Sequence, residues 1–71
     1  KRIDLLITEK TEPKILIELK APHIKLTQET FEQIARYNSV IGAKNIILSN
    51  GLQHIYAKFT DKGYEFLNFE F

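Results

Sequence analysis

Ile15-Leu-Ile-Glu-Leu-Lys20 is the stretch whose reading decides the fold. It reads as a buried β-strand that carries two charges. Successive strand residues point to opposite faces, so Glu18 and Lys20 share one face, one pleat apart, and Ile15, Ile17 and Leu19 share the other. Charged groups in so apolar a strand are paired, bound to a metal or open to a cleft. Upstream, Arg2–Ile7 reads as another strand with a single charge, Asp4, in its middle. Thr8-Glu-Lys-Thr-Glu-Pro13 joins the two as a polar turn, with Pro13 where a strand can start but not continue.

The register of that hairpin carries the chemistry. A turn centred near Thr11 sets Asp4 opposite Glu18, Leu6 opposite Leu16 and Arg2 opposite Lys20, all on one face. Directly opposed side chains of an antiparallel pair have Cβ atoms roughly 4.5–5.5 Å apart. Two carboxylates that close repel one another unless a cation lies between them. A pair of carboxylate ligands, completed by waters and substrate phosphates, is what Mg²⁺ accepts from a protein. Lys20 stands beside them as a point charge able to orient a water or a phosphoryl oxygen. The plain alternative is a cross-strand salt bridge on a half-exposed sheet, which is common.

The composition bounds these readings. Seventy-one residues make one small domain or a piece of a larger one, with a limited core. There is no cysteine, hence neither a disulfide frame nor a thiolate zinc site. No apolar run is long enough to cross a membrane, and nothing resembles a signal peptide. The net charge of +1 lacks the basic surplus usual in nucleic-acid binders, which counts against this chain holding DNA unaided. A start inside a strand, and the absence of methionine, read as a single-domain fragment, 1–71, of a larger protein.

The rest of the chain supplies one helix and three strands. Ala21-Pro-His-Ile-Lys-Leu26 is a loop, because Pro22 pushes Ala21 away from helical geometry. Thr27 is the expected N-cap, and Glu29 and Glu32 suit the helix dipole. Phe31, Ile34, Ala35, Asn38 and Ile41 recur at helical spacing, leaving Glu29, Glu32 and Arg36 to solvent, and Gly42 stops the helix. Asn45–Ser49 reads as a strand and Asn50-Gly51 as a two-residue hairpin turn. Leu52–Phe59 follows as a strand, Thr60–Gly63 as a turn and Tyr64–Phe71 as an aromatic last strand. The order is β-β-α-β-β-β: a mixed sheet of the α/β (α+β) class with one main helix packed on it. The helical crossover is long enough for the strand after it to pair in parallel with Ile15–Lys20.

Asp4, a thirteen-residue gap and then Glu18-Leu19-Lys20 resemble the signature of the PD-(D/E)XK nucleases. On the helix, Gln33-Ile-Ala-Arg-Tyr37 looks like the Q-x-x-x-Y motif of RecB-like nucleases. Ile17–Pro22, Phe31–Ser39 and Ile47–Gly51 are together most similar to the N-terminal nuclease domain of type I restriction enzyme motor (R) subunits. Each motif alone is weak; three on the right elements in the right order are stronger. The family's usual helix before the first strand, which often adds an acidic residue, is missing here, and the proline that often precedes the first acid is Ile3.

The resemblance implies a restriction-endonuclease-like core and a Mg²⁺-dependent DNA endonuclease, with Mn²⁺ as a substitute ion. Asp4, Glu18 and Lys20 would be catalytic, and Asp4, Glu18 and the Leu19 backbone carbonyl would hold the metal. Gln33 and Tyr37 would contact DNA or brace Lys20. ATP would act only through a motor domain elsewhere, since this chain has no Walker motif. The implied partners are DNA and the specificity and methylation subunits of a restriction complex, in a prokaryotic cytoplasm and away from membranes. A catalytically inactive, nuclease-like DNA-binding or protein-interaction module is the alternative. Tyr37 also reads simply as a half-buried tyrosine with a hydrogen-bonded hydroxyl. His23 reads as a loop residue and His54 as structural.

Overall fold

A computed structural model describes residues 5–67 of the chain. Its first hairpin joins β1 (Leu5–Glu9) to β2 (Glu12–Leu19) through Lys10 and Thr11 alone. Both have positive φ, 53° and 68°. Two consecutive left-handed residues give the turn whose twist matches that of the flanking strands, at a steric cost for residues other than glycine. The turn is therefore tighter than the Thr8–Pro13 span expected from composition.

Pro13 lies inside β2 rather than at its start, paired with Thr8 where the register shifts after Ile7. A proline is tolerated at such an irregularity because the ladder is already broken there. Beyond the shift, Leu5 pairs with Ile17, Leu6 with Leu16 and Ile7 with Ile15, the register expected of a hairpin centred near Thr11. Asp4 and Arg2, the other members of that expected pairing, lie outside the described residues.

Helix α1 (Gln28–Ile41) has the ends its sequence specifies. Thr30 N–H donates to Thr27 Oγ1, and Thr27 N–H donates to Thr30 Oγ1, both at 3.2 Å. This reciprocal box satisfies donors that the first helical turn leaves open. At the other end Gly42 takes φ 82° and its N–H donates to the Asn38 carbonyl at 2.7 Å. Asn38 is buried in the expected stripe with Phe31 and Ile34. Its amide makes the burial tolerable, since Oδ1 accepts from Ala43 N–H at 2.9 Å, and Nδ2 donates to the Ala43 carbonyl at 2.9 Å and to Tyr64 Oη at 3.0 Å. Glu29, Glu32 and Arg36 are exposed as expected.

The crossover returns the chain as β3 (Asn45–Ser49), parallel to β2, with Leu16 beside Ile46 and Glu18 beside Leu48. β4 (His54–Thr60) and β5 (Gly63–Leu67) add antiparallel strands, giving one sheet in the order β1-β2-β3-β4-β5. The fold is thus mixed α+β, a five-stranded sheet with one helix among the described residues. Leu16, Ile46, Leu48 and Ala57 of the sheet pack with Phe31 and Ile34 of α1 and with Ala43. On the opposite face Ile15, Ile17 and Ile47 are half-buried, while Leu5, Ile7 and Leu19 are exposed.

A second turn departs from expectation. Asn50-Gly51 is not a two-residue hairpin: β4 starts at His54 rather than Leu52, and Asn50–Gln53 forms a longer loop. Asn50 directs its side chain into the protein, and its Oδ1 takes the Leu52 and Gln53 N–H groups at 2.9 and 2.6 Å. An Asn that bonds the backbone two and three residues on builds a wider turn than the tight type. The last strand begins at Gly63, one residue early, and its expected continuation through residues 68–71 lies outside the described residues.

Candidate active site

Glu18 belongs to the helix-covered face of the sheet. Alternation along β2 puts it in line with Leu16, and the parallel register puts it beside Leu48. The residue is 6% exposed. A carboxylate so buried needs a partner. Lys20 Nζ lies 3.4 Å from Glu18 Oε2, with the lysine side chain 21% exposed. The lysine lies just past the strand, yet the ladder extends to it, because its N–H donates to the Ser49 carbonyl at 2.7 Å. That bond holds the lysine's backbone against β3 and leaves the side chain to return along the face it shares with Glu18.

The pair sits where β2 and β3, running in parallel, both end. The loop after β2 and the loop after β3 leave the sheet side by side there, joined by Asn50 Nδ2 donating to the Ile24 carbonyl at 2.7 Å. The carboxyl ends of parallel strands are where such sheets open a crevice to ligands. A groove of about 470 Å³ runs between these loops, lined by residues that include His23, Lys25, Thr27 and Gln53. A larger, apolar groove of about 580 Å³ lies elsewhere, between α1 and the β4–β5 ribbon, with Phe31, Ala35, Ile55, Tyr64 and Phe66 on its walls. Neither groove is lined by Glu18 or Lys20.

The structure brings Glu18 and Lys20 together as alternation in β2 required. Gln33 is exposed and Tyr37 half-buried, one turn apart on the flank of α1. Asp4 lies outside the described residues. Among the described residues, no cluster of three or more His, Asp or Glu side chains stands ready to hold a metal ion. Glu18 is the carboxylate this part of the chain brings to the site, with the Leu19 carbonyl next to it in sequence. Carboxylate and carbonyl oxygens are the hard donors that Mg²⁺ takes, and they fit that ion as part of a set that other oxygens complete.

His54 has a structural partner, as expected: its Nδ1 lies 2.8 Å from Ser49 Oγ, which also accepts Gly51 N–H at 3.0 Å. Sequence reasoning missed the part played by Asn50, treating it as a turn residue. The bond that reveals it joins residues 26 apart, a relation that no local pattern signals.

No helix among the described residues is long and apolar enough to cross a membrane. No curated protein and no solved structure matches the chain significantly. The family described as the type I restriction enzyme R protein N terminus matches residues 1–69.

Proposed function

The chain belongs to the family of type I restriction enzyme R protein N termini, and from that premise we propose that it is the Mg²⁺-dependent DNA endonuclease module of such a protein, with a PD-(D/E)XK core. One observation carries the reading: a buried carboxylate, Glu18, held 3.4 Å from the ammonium of Lys20 where two parallel strands end. A salt bridge serving stability alone is commonly exposed and contributes little. Burying one beside Leu48 costs desolvation that a site with chemistry to perform has reason to retain.

In this proposal Asp4, expected opposite Glu18 from the hairpin register, joins Glu18 and the Leu19 carbonyl in holding Mg²⁺, with Mn²⁺ as a substitute. The ion, when bound, polarises the scissile phosphate and lowers the cost of ionising a water. Lys20 holds the attacking water or a phosphoryl oxygen in line through its ammonium, while the apolar neighbours of Glu18 keep bulk water from competing. Gln33 and Tyr37 hold a DNA phosphate or brace Lys20. DNA and the other subunits of the restriction complex are the partners, with ATP acting through a motor domain elsewhere. A cytoplasmic setting goes with that assignment.

The test is Mn²⁺ titration and DNA cleavage by the R protein that carries this chain, in the wild type and in Lys20→Arg. The variant is expected to keep metal affinity, since lysine is not a ligand, and to lose cleavage by roughly 100-fold, because a planar fork replaces a compact point charge in a largely enclosed place. Loss of Mn²⁺ binding in a folded Lys20→Arg protein would put the lysine in the wrong role. A wild type that neither binds Mn²⁺ nor cuts DNA would favour the inactive-module alternative.

Tyr37→Phe probes the helix flank, as it removes only a hydroxyl and little packing. Normal folding and unchanged metal affinity are expected, with cleavage or DNA affinity down by about tenfold, the size of one charge-assisted hydrogen bond. If the variant chiefly lowers the melting temperature and cuts at the wild-type rate, Tyr37 is a packing residue.

A further inference from the structure

We infer that Asn50 is a positioning residue for the Glu18–Lys20 pair, acting through the segment that leaves β2; its link to catalysis rests on the nuclease reading above. The chain leaving the site is tied at both ends to two consecutive residues, the last of β3 and the first after it. Lys20 N–H donates to the Ser49 carbonyl at 2.7 Å, and the Ile24 carbonyl accepts Asn50 Nδ2 at 2.7 Å. Between these ties the segment closes on itself, Ile24 N–H donating to the Ala21 carbonyl at 3.0 Å.

Asn50 is 4% exposed, in a loop otherwise open to solvent. Its Oδ1 holds the Leu52 and Gln53 N–H groups, and its own N–H donates to the Gln53 carbonyl at 3.1 Å. One short side chain therefore accepts from one loop and donates to the other. Only a carboxamide has both functions at that length: aspartate lacks the donor and serine lacks the reach. The lysine stem is flexible, so a backbone held in place is what limits the region its ammonium can reach. Releasing Ile24 from Asn50 frees the path from Lys20 onward and loosens the 3.4 Å approach to Glu18. The loop after β3 thereby sets the aim of a side chain on β2.

The test is Asn50→Asp, which keeps the acceptor for Leu52 and Gln53 and removes the donor to Ile24. In the chain as it stands, the Lys20 and Ile24 amides should exchange with solvent about tenfold faster, as expected for one lost buried hydrogen bond. The Leu52 and Gln53 amides should keep their protection, and the Lys20 ammonium resonance should shift. In the R protein, kcat per folded enzyme should fall about tenfold with KM and Mn²⁺ affinity held, as expected when a group that acts in the transition state is misaligned. Unchanged exchange at Lys20 and Ile24, or a Lys20 resonance that stays in place, overturns the inference. Lys20→Arg in the same cleavage assay separates the two claims. If it cuts at the wild-type rate, the catalytic role given to Lys20 fails, and the exchange and resonance data still decide whether Asn50 positions Lys20. Should Asn50→Asp not fold, the wild-type Asn50 carboxamide protons decide: protection from exchange supports the tie, and free exchange overturns it.

Discussion

Replacing Glu18 by Ala is expected to abolish DNA cleavage by the R protein, a loss of at least 10²–10³-fold, of the order of several kcal/mol of transition-state stabilisation. In the proposed site the carboxylate is the metal ligand that the described part of the chain supplies, and it is buried on the helix-covered face beside Lys20. Removing it deletes a ligand and leaves the ammonium without the partner that holds it. Glu18→Gln sharpens the test, since it keeps the shape and removes the charge. Both variants should lose Mn²⁺ affinity. Two effects on stability oppose one another: the lost ion pair destabilises, while relief from repulsion with the facing Asp4 of the proposed site stabilises. The net change in melting temperature should therefore be small beside the loss of activity. Full cleavage by Glu18→Ala, free of wild-type enzyme, would falsify the assignment.

The largest expected effect on stability belongs to Leu48→Ala. Leu48 is fully buried, pairs with Glu18 in the parallel ladder, and belongs to the single cluster that joins the sheet to α1. Truncating a buried leucine costs about 2–5 kcal/mol in lost burial and residual cavity. A domain of this size holds only roughly 4–10 kcal/mol in total at the usual stability per residue. The loss is thus of the order of half of what keeps the chain folded, and melting should fall by about 10–40 °C. Val40→Ala on α1 is the control. That side chain is 86% exposed, and its replacement should change stability by less than about 0.5 kcal/mol. Thermal or urea unfolding of the two variants side by side decides the matter, and a Leu48→Ala chain as stable as Val40→Ala would mean that the core lies elsewhere.

Much of this protein was legible locally because its determinants are local. Thr27 and Gly42 bound the helix through bonds that reach no farther than four residues, so spacing alone revealed both ends. Period-two alternation in Ile15–Lys20 put Glu18 and Lys20 on one face before any neighbour was known, and the ion pair follows from it. The pairing of Leu5–Ile7 with Ile15–Ile17 also agrees with a centre near Thr11, although the register shift after Ile7 produces it and the two-residue turn alone would not. Tertiary structure decided the rest, because the relevant partners are distant in sequence. Which face of β2 meets the helix depends on the crossover that lays β3 alongside it, and this buries Glu18 beside Leu48 rather than leaving it on the open face. Asn50 could be read as a tight-turn residue until Ile24 arrived to accept its amide, because a local turn and a tertiary tie draw on the same donors and acceptors. Pro13 looked like a strand boundary until a register shift on β1 opened a place for it inside the ladder.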